Sequence, residues 1–235
     1  WSKYPIPVKD KTLTSNVTIE QTGVTAIAVA FDGTIYAATE ERAGTPLGGY
    51  NLFKSTDDGY TWTPLWKIPD EDKPTGGPTS DPESKIIALI LPQWEYTDTL
   101  FLATQYNVYK STDGGEHFFT VGGKPTYNSG NTTTNSRLIT SLDVIYYNDS
   151  HLTIVGSGDK DAFAGDYGGV YLHDGAKPFN RWIDLQVGGG TAGTKYDVLA
   201  VAFSPKFADD RQSVALVTND VPGSLTTKVT FVFNG

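Results

Sequence analysis

Apolar and polar positions alternate in short runs along most of this chain. Val24-Thr-Ala-Ile-Ala-Val-Ala-Phe31 is followed by Thr34-Ile-Tyr-Ala-Ala-Thr39, with Asp32-Gly33 between them. Ile86-Ile-Ala-Leu-Ile-Leu91 is followed by Thr99-Leu-Phe-Leu-Ala-Thr104, and Val198-Leu-Ala-Val-Ala-Phe203 by Val214-Ala-Leu-Val-Thr218. A period near two over four to eight residues predicts strands, and Asp-Gly between two such runs predicts a tight hairpin. No stretch carries a helical period of useful length.

The runs repeat as larger units. Asn51-Leu-Phe-Lys-Ser-Thr-Asp-Asp-Gly-Tyr-Thr-Trp62 returns as Asn107-Val-Tyr-Lys-Ser-Thr-Asp-Gly-Gly-Glu-His-Phe118. Each unit reads strand, turn, strand, longer loop, strand, tight Asp/Gly hairpin, and a last strand ending in an aromatic residue. Four units follow: residues 24–70, 85–122, 138–187, and an incomplete one over 197–235. A recurring four-stranded unit of this length predicts a β-propeller blade. The fold class expected is therefore all-β, a propeller of four-stranded antiparallel blades. Trp1-Ser-Lys-Tyr-Pro-Ile-Pro7 echoes the segment after Trp62, so residues 1–20 are expected to hold the closing strand of a preceding or last blade. Either four blades close into one ring over 1–235, or this is a segment of a larger propeller. The segment reading is preferred, because four blades sit at the small end of the range.

Two hairpins share the pattern S-x-D-x-G-x-x-[WF]: Ser55, Asp57, Gly59 and Trp62, then Ser111, Asp113, Gly115 and Phe118. An Asp in a tight turn accepts hydrogen bonds from the turn's own N–H groups, Ser adds a second local bond, Gly supplies positive φ, and the aromatic packs under the loop. The pattern resembles the Asp-box, or BNR repeat, of sialidases, two-propeller xyloglucanases, sortilin-type receptors and photosystem assembly factors. Asp174, Gly175 and Trp182 look like a decayed third copy. The resemblance implies that these boxes lie on the blade periphery, so their aspartates are structural rather than acids or metal ligands.

Charge narrows the partners. With 27 Asp+Glu against 18 Lys+Arg the net charge is −9, which disfavours nucleic acid, whose binding needs a basic footprint. No apolar run reaches the length of a membrane helix. The absence of cysteine removes disulfides, thiolate catalysis and thiolate metal sites together. No leader and no initiator Met are visible, so a processed or excised chain is expected. Together with abundant Gly and Tyr and no Met, this points to an extracellular, cell-surface location.

Candidate chemistry is sparse. Sialidase-like catalysis needs an arginine cluster, and only Arg42, Arg137, Arg181 and Arg211 exist. Glycoside hydrolysis needs two carboxylates facing each other across a cleft. Glu40, Glu41, Glu95, Asp98 and Asp143 are available, but the bland reading is that they are ordinary loop acids. Asp159, Asp161 and Asp166 form the best Ca²⁺ candidate, ahead of Asp70-Glu-Asp72, and no other cofactor is called for. His117, His151 and His173 have no paired spacing and read as surface or turn residues. Gly188–Gly193 reads as a flexible inter-blade loop. Asn16, Asn131 and Asn148 open N-x-[ST] sequons in presumed loops.

No assembled catalytic set is recognisable, so the leading expectation is a non-catalytic structural or interaction protein of a prokaryotic cell surface. Val201-Ala-Phe-Ser-Pro-Lys-Phe-Ala-Asp209 resembles repeats of large bacterial exported propellers. Its partners would be other protein subunits or cell-surface glycans. One alternative is a carbohydrate-active or sugar-binding propeller resembling xyloglucanases or sialidases, with Trp66, Trp94, Tyr96 and Tyr106 as stacking candidates. The other is a protein-binding receptor ectodomain or assembly factor.

Overall fold

A computed structural model describes residues 23–41, 50–69, 84–92, 98–125, 137–159, 168–177, 181–185, 187, 196–219 and 227–233. The expected closing strand over 1–20 lies outside them. So do Asn16, Asn131, Asp161, Asp166, Glu95, Trp94, Tyr96, Arg42 and the Gly188–Gly193 loop.

The described chain is all-β but for one helical turn. Four antiparallel meanders follow in chain order. The first is β1 (Val24–Val29), β2 (Ile35–Glu41), β3 (Leu52–Ser55) and β4 (Thr63–Trp66). The second is β5 (Ser84–Ile90), β6 (Leu100–Thr104), β7 (Val108–Ser111) and β8 (Phe119–Thr120). The third is β9 (Arg137–Tyr147), β10 (Ser150–Asp159), β11 (Gly169–Asp174) and β12 (Ile183–Asp184). The fourth is β13 (Tyr196–Phe203), the turn α1 (Phe207–Asp210), β14 (Gln212–Asn219) and β15 (Thr227–Phe233). Two rungs, Glu40 opposite Lys85 and Glu41 opposite Ser84, join β2 to β5, so the first two meanders form one sheet. Glu40 and Glu41 thus lie within β2, whereas their position after the second strand had marked them as loop acids.

Two compact units result: residues 1–105 with 110–119, and residues 106–109 with 120–235. In the first, Leu52, Phe53, Ile86, Leu100, Phe101 and Leu102 are fully buried. In the second, Leu152, Ile154, Val170 and Leu172 pack against Val198, Val201, Phe203, Phe207, Ala215 and Val217. The third and fourth sheets therefore meet through alternate strand positions, as the period-2 pattern requires.

Turn chemistry follows the sequence closely. Asp32 and Gly33 join β1 to β2, with Gly33 at φ 87° and the Asp32 carboxylate accepting the Thr34 N–H at 2.9 Å. Asn148 and Asp149 both adopt positive φ, 49° and 59°, and close β9 onto β10 as a two-residue loop of the primed kind. Asn148 is exposed there.

Each meander also carries a feature invisible in the pattern. Pairing between its first two strands slips by one residue, leaving Thr25, Ile87, Thr140 and Leu199 without an opposite partner. These are β-bulges, which bend the strand and increase its twist. Where β13 bulges, the Val198 carbonyl accepts a 2.5 Å bond from Thr140 Oγ1, itself the bulge residue of β9. Close by, Asp143 Oδ2 accepts the Phe203 N–H at 2.7 Å, and Oδ1 accepts the Val144 N–H at 2.9 Å. Burial holds the Asp143 carboxyl above the usual carboxylate range, against the pull of these two amides. The bulges thus place side chains where one sheet can bond to the next.

That approach is close. A Cβ on Gly156 of β10 would lie 2.6 Å from Val198 Cγ1 and 2.8 Å from Ser141 Oγ. Gly156→Ala is therefore expected to cost about 1–3 kcal/mol as an overpacking change, read as a lowered midpoint in chemical denaturation. Gly33→Ala should cost through backbone strain alone, since nothing lies within 4 Å of its side.

Candidate functional site

The best-built polar constellations are the β3–β4 and β7–β8 hairpins. In the first, Ser55 ends β3 and is buried, while Asp57 opens the loop. Ser55 Oγ donates to Asp57 Oδ1 at 2.9 Å and accepts the Gly59 N–H at 2.9 Å. Asp57 Oδ1 also accepts the Thr61 N–H at 2.8 Å, and Oδ2 accepts the Thr61 hydroxyl at 2.5 Å. Asp58 and Gly59 turn the chain at φ 55° and 84°, and the Trp62 ring lies 3.7 Å from the open side of Gly59.

The second hairpin repeats this nearly atom for atom. Ser111 Oγ donates to Asp113 Oδ1 at 2.8 Å and accepts the Gly115 N–H at 2.9 Å. Asp113 Oδ1 accepts the His117 N–H at 2.9 Å, and Oδ2 meets His117 Nδ1 at 2.7 Å. His117 thus takes the place of Thr61. Gly114 and Gly115 supply φ 71° and 90°, and a Cβ on Gly115 would stand 2.8 Å from Leu65 Cδ1. Phe118 packs on Trp66 with ring centroids 5.2 Å apart. The Gly114 carbonyl accepts the Tyr36 hydroxyl at 3.3 Å, and burial pushes that phenol up to about 12.

Both aspartates accept hydrogen bonds from their own turn through both carboxylate oxygens. The Thr61 hydroxyl and amide hold the Asp57 carboxyl below the usual range. The His117 amide and ring, with Ser111, hold Asp113 well below it. Such groups are poor proton donors at neutral pH. Asp113, Glu116 and His117 bring three potential ligand atoms within 4.8 Å of one another, but the Asp113 oxygens are engaged in the turn.

The third turn differs. Buried Leu172 stands where the serine would be, and Gly175 does not adopt positive φ. The Asp174 carboxylate accepts the Ala176 N–H at 3.0 Å and lies 3.8 Å from Lys177 Nζ, and its carbonyl accepts the Lys177 N–H at 3.2 Å. Trp182 Nε1 donates to the carbonyls of Val121 at 3.0 Å and Gly123 at 2.9 Å. His173, expected at the surface, is 4 % exposed in β11. β11 is buried on both faces, and His173 lies on the face opposite Val170 and Leu172, a position that the turn-like Asp174-Gly175 beside it disguised.

The dispersed acids and aromatics are used in packing. Glu40 Oε1 accepts the Gly23 N–H at 3.3 Å. Arg211 lies 4.1 Å over the Tyr147 ring. Trp66 is half-buried against Phe118, and Lys124 covers Tyr106 at 5.6 Å. Asp159 ends β10, and its expected Ca²⁺ partners lie outside the described residues. Sequence reasoning missed Asn51, fully buried ahead of β3. Its Oδ1 accepts the Ile68 N–H at 3.0 Å and its amide donates to the Thr39 carbonyl at 3.4 Å, tying β2 to the chain beyond β4. The recurrence of an asparagine as Asn107, also buried, was the available signal.

No protein-family model matches the chain, and no curated protein matches it in sequence. Solved structures do match. The α-L-arabinanase of Penicillium chrysogenum, complexed with arabinobiose, aligns over 91% of this chain and 63% of its own, with 15% identity and a TM-score of 0.51. The fold is propeller-like. An α-L-arabinofuranosidase of Fusarium graminearum aligns over 97% of this chain and 66% of its own, at 15% identity and TM-score 0.48. An ancestral GH74 enzyme aligns over 88% and 30%, at 13% and 0.48. This chain thus spans under two thirds of the arabinanase. The match corrects the leading functional expectation. The fold neighbour is an arabinanase and not a non-catalytic surface protein, so that expectation is not carried forward.

Two outcomes test the hairpins. Because the folded-state carboxyls of Asp57 and Asp113 titrate below their unfolded value of about 3.9, their stabilisation is complete above that pH. It is lost as pH falls toward their folded values. The Asp57→Asn, Asp113→Asn double variant should therefore show a flatter fall in melting temperature between pH 4 and pH 2 than the parent. His117→Thr, which copies the first hairpin, should leave the melting temperature within about 2 °C at pH 7, whereas Ser111→Ala should lower it clearly.

Proposed function

We propose that this protein is a carbohydrate-active or sugar-binding β-propeller working outside the cell, with the meanders as blades and the Ser-Asp-Gly hairpins as Asp-box turns at their periphery. The observation that carries the proposal is the alignment of 91% of the chain with an arabinanase bound to arabinobiose. Charge agrees: an acidic protein suits a neutral glycan better than a polyanion. The hydrogen-bond pattern supports the assignment of the hairpins, since both carboxylate oxygens of Asp57 and of Asp113 accept hydrogen bonds within their own turn. The sugar is therefore sought away from them. Asp143 serves here as a positioning acid that joins β9 to β13, and the proposal assigns no catalytic residue.

The test is direct. Arabinobiose and a panel of neutral oligosaccharides are titrated calorimetrically against the 235-residue chain, and the mixtures are then analysed for released monosaccharide. Saturable binding supports the proposal, and release of arabinose makes the protein a hydrolase. Neither binding nor release with any neutral sugar overturns it.

A further inference from the structure

His173 is a titratable side chain that the proposed function leaves unused and that is buried with neither ring nitrogen hydrogen-bonded. It lies next to the end of β11, opposite Thr153 of β10, and is 4 % exposed. Neither ring nitrogen has a hydrogen-bond partner, and the facing Thr153 Oγ1 is likewise buried without one. The imidazole sits against Trp182 at 5.3 Å between centroids. Its other neighbour is Gly122, where φ is 68° and a Cβ would come within 2.5 Å of His173 Cδ2 and 3.0 Å of Nε2. The same indole holds this segment through its two bonds to Val121 and Gly123. His173, Trp182 and residues 121–123 therefore form one closed packing unit.

We propose that His173 is a proton-operated latch, in which uptake of one solvent proton by the buried imidazole drives Trp182 off the Val121 and Gly123 carbonyls and opens the outer corner of the third meander. An imidazolium has two N–H donors and a charge, and neither finds a partner in this packing. The charged groups on the surrounding elements do not remedy this. Asp174 neighbours His173 on β11, but its carboxylate is taken by the Ala176 N–H and Lys177. His151 on β10 packs edge-on to Tyr146. Arg181 and Asp184 flank the Trp182 segment as exposed residues, and Lys124 lies over Tyr106. Burial lowers the affinity of the closed state for the proton, and only Asp174 opposes it. The sign follows. The closed form is fully favoured above the ordinary histidine value of about 6.5, and the open form gains up to tenfold per pH unit below it until the closed-state value is reached.

The experiment follows the Trp182 indole N–H, assigned by Trp182→Phe, in ¹⁵N-labelled full chain from pH 7.5 to 4.5, alongside the His173 ring resonances. Expected is indole exchange, corrected for its intrinsic pH dependence, at least about tenfold faster at pH 5 than at pH 7, in step with His173 titration. His173→Phe should keep the indole protected across the range. The proposal is overturned if the indole stays protected while His173 titrates, or if His173→Phe shows the same acid release. Should His173→Phe fail to fold, the parent decides alone. Coincident titration and release support the latch, and titration with an intact indole bond rejects it.

Discussion

Antiparallel pairing between a bulged first strand and its neighbour is the interaction on which the rest of this structure depends. A regular ladder satisfies its own backbone and gives an adjacent sheet only side-chain packing. A bulge leaves one residue unpaired and bends the strand. At β9 and β13 that freedom is used across the sheets: Thr140 bonds the Val198 carbonyl and Asp143 bonds the Phe203 amide. Gly156 is then required because the sheets come too near for a Cβ. The same slip recurs in the first two meanders, so the repeat is one of backbone geometry as much as of residue type.

The corners pose the opposite problem. A tight turn has amides that no strand pairs, and an unpaired amide close to the core costs free energy. Ser55 with Asp57, and Ser111 with Asp113, meet this by turning short oxygen-bearing side chains back onto their own loop. Thr61 and His117 serve the same aspartate position with different chemistry. Carboxylates spent in this way are held as acceptors within their own turns. Asp143 shows the contrasting case: burial raises its affinity for a proton, yet both oxygens remain tied to backbone.

Function here is not written in local constellations. The acids and aromatics that could serve a glycan are, where described, engaged with neighbours: Glu40 with Gly23, Trp66 with Phe118 and Tyr106 with Lys124. The absence of a recognisable catalytic set made a structural role the natural expectation. The match to an arabinanase runs against that expectation, and a propeller-like fold can assemble its sites from loops of separate repeats, whose meeting leaves no trace in linear spacing.

The sequence by itself determined the all-β character of the chain and the residues that turn its first two hairpins. Alternation, Asp-Gly pairs and the Ser-x-Asp-x-Gly pattern act over two to seven residues, and such short-range forces are legible in a linear string. Asn51 was half legible, as a repeated letter whose role appeared only when Ile68 and Thr39 closed around it. Tertiary structure alone decided the bulges, the need for Gly156 and the burial of His173. Each depends on which strand lies opposite and how near the next sheet comes. Those are contacts between residues far apart in sequence, fixed by packing and not by local preference.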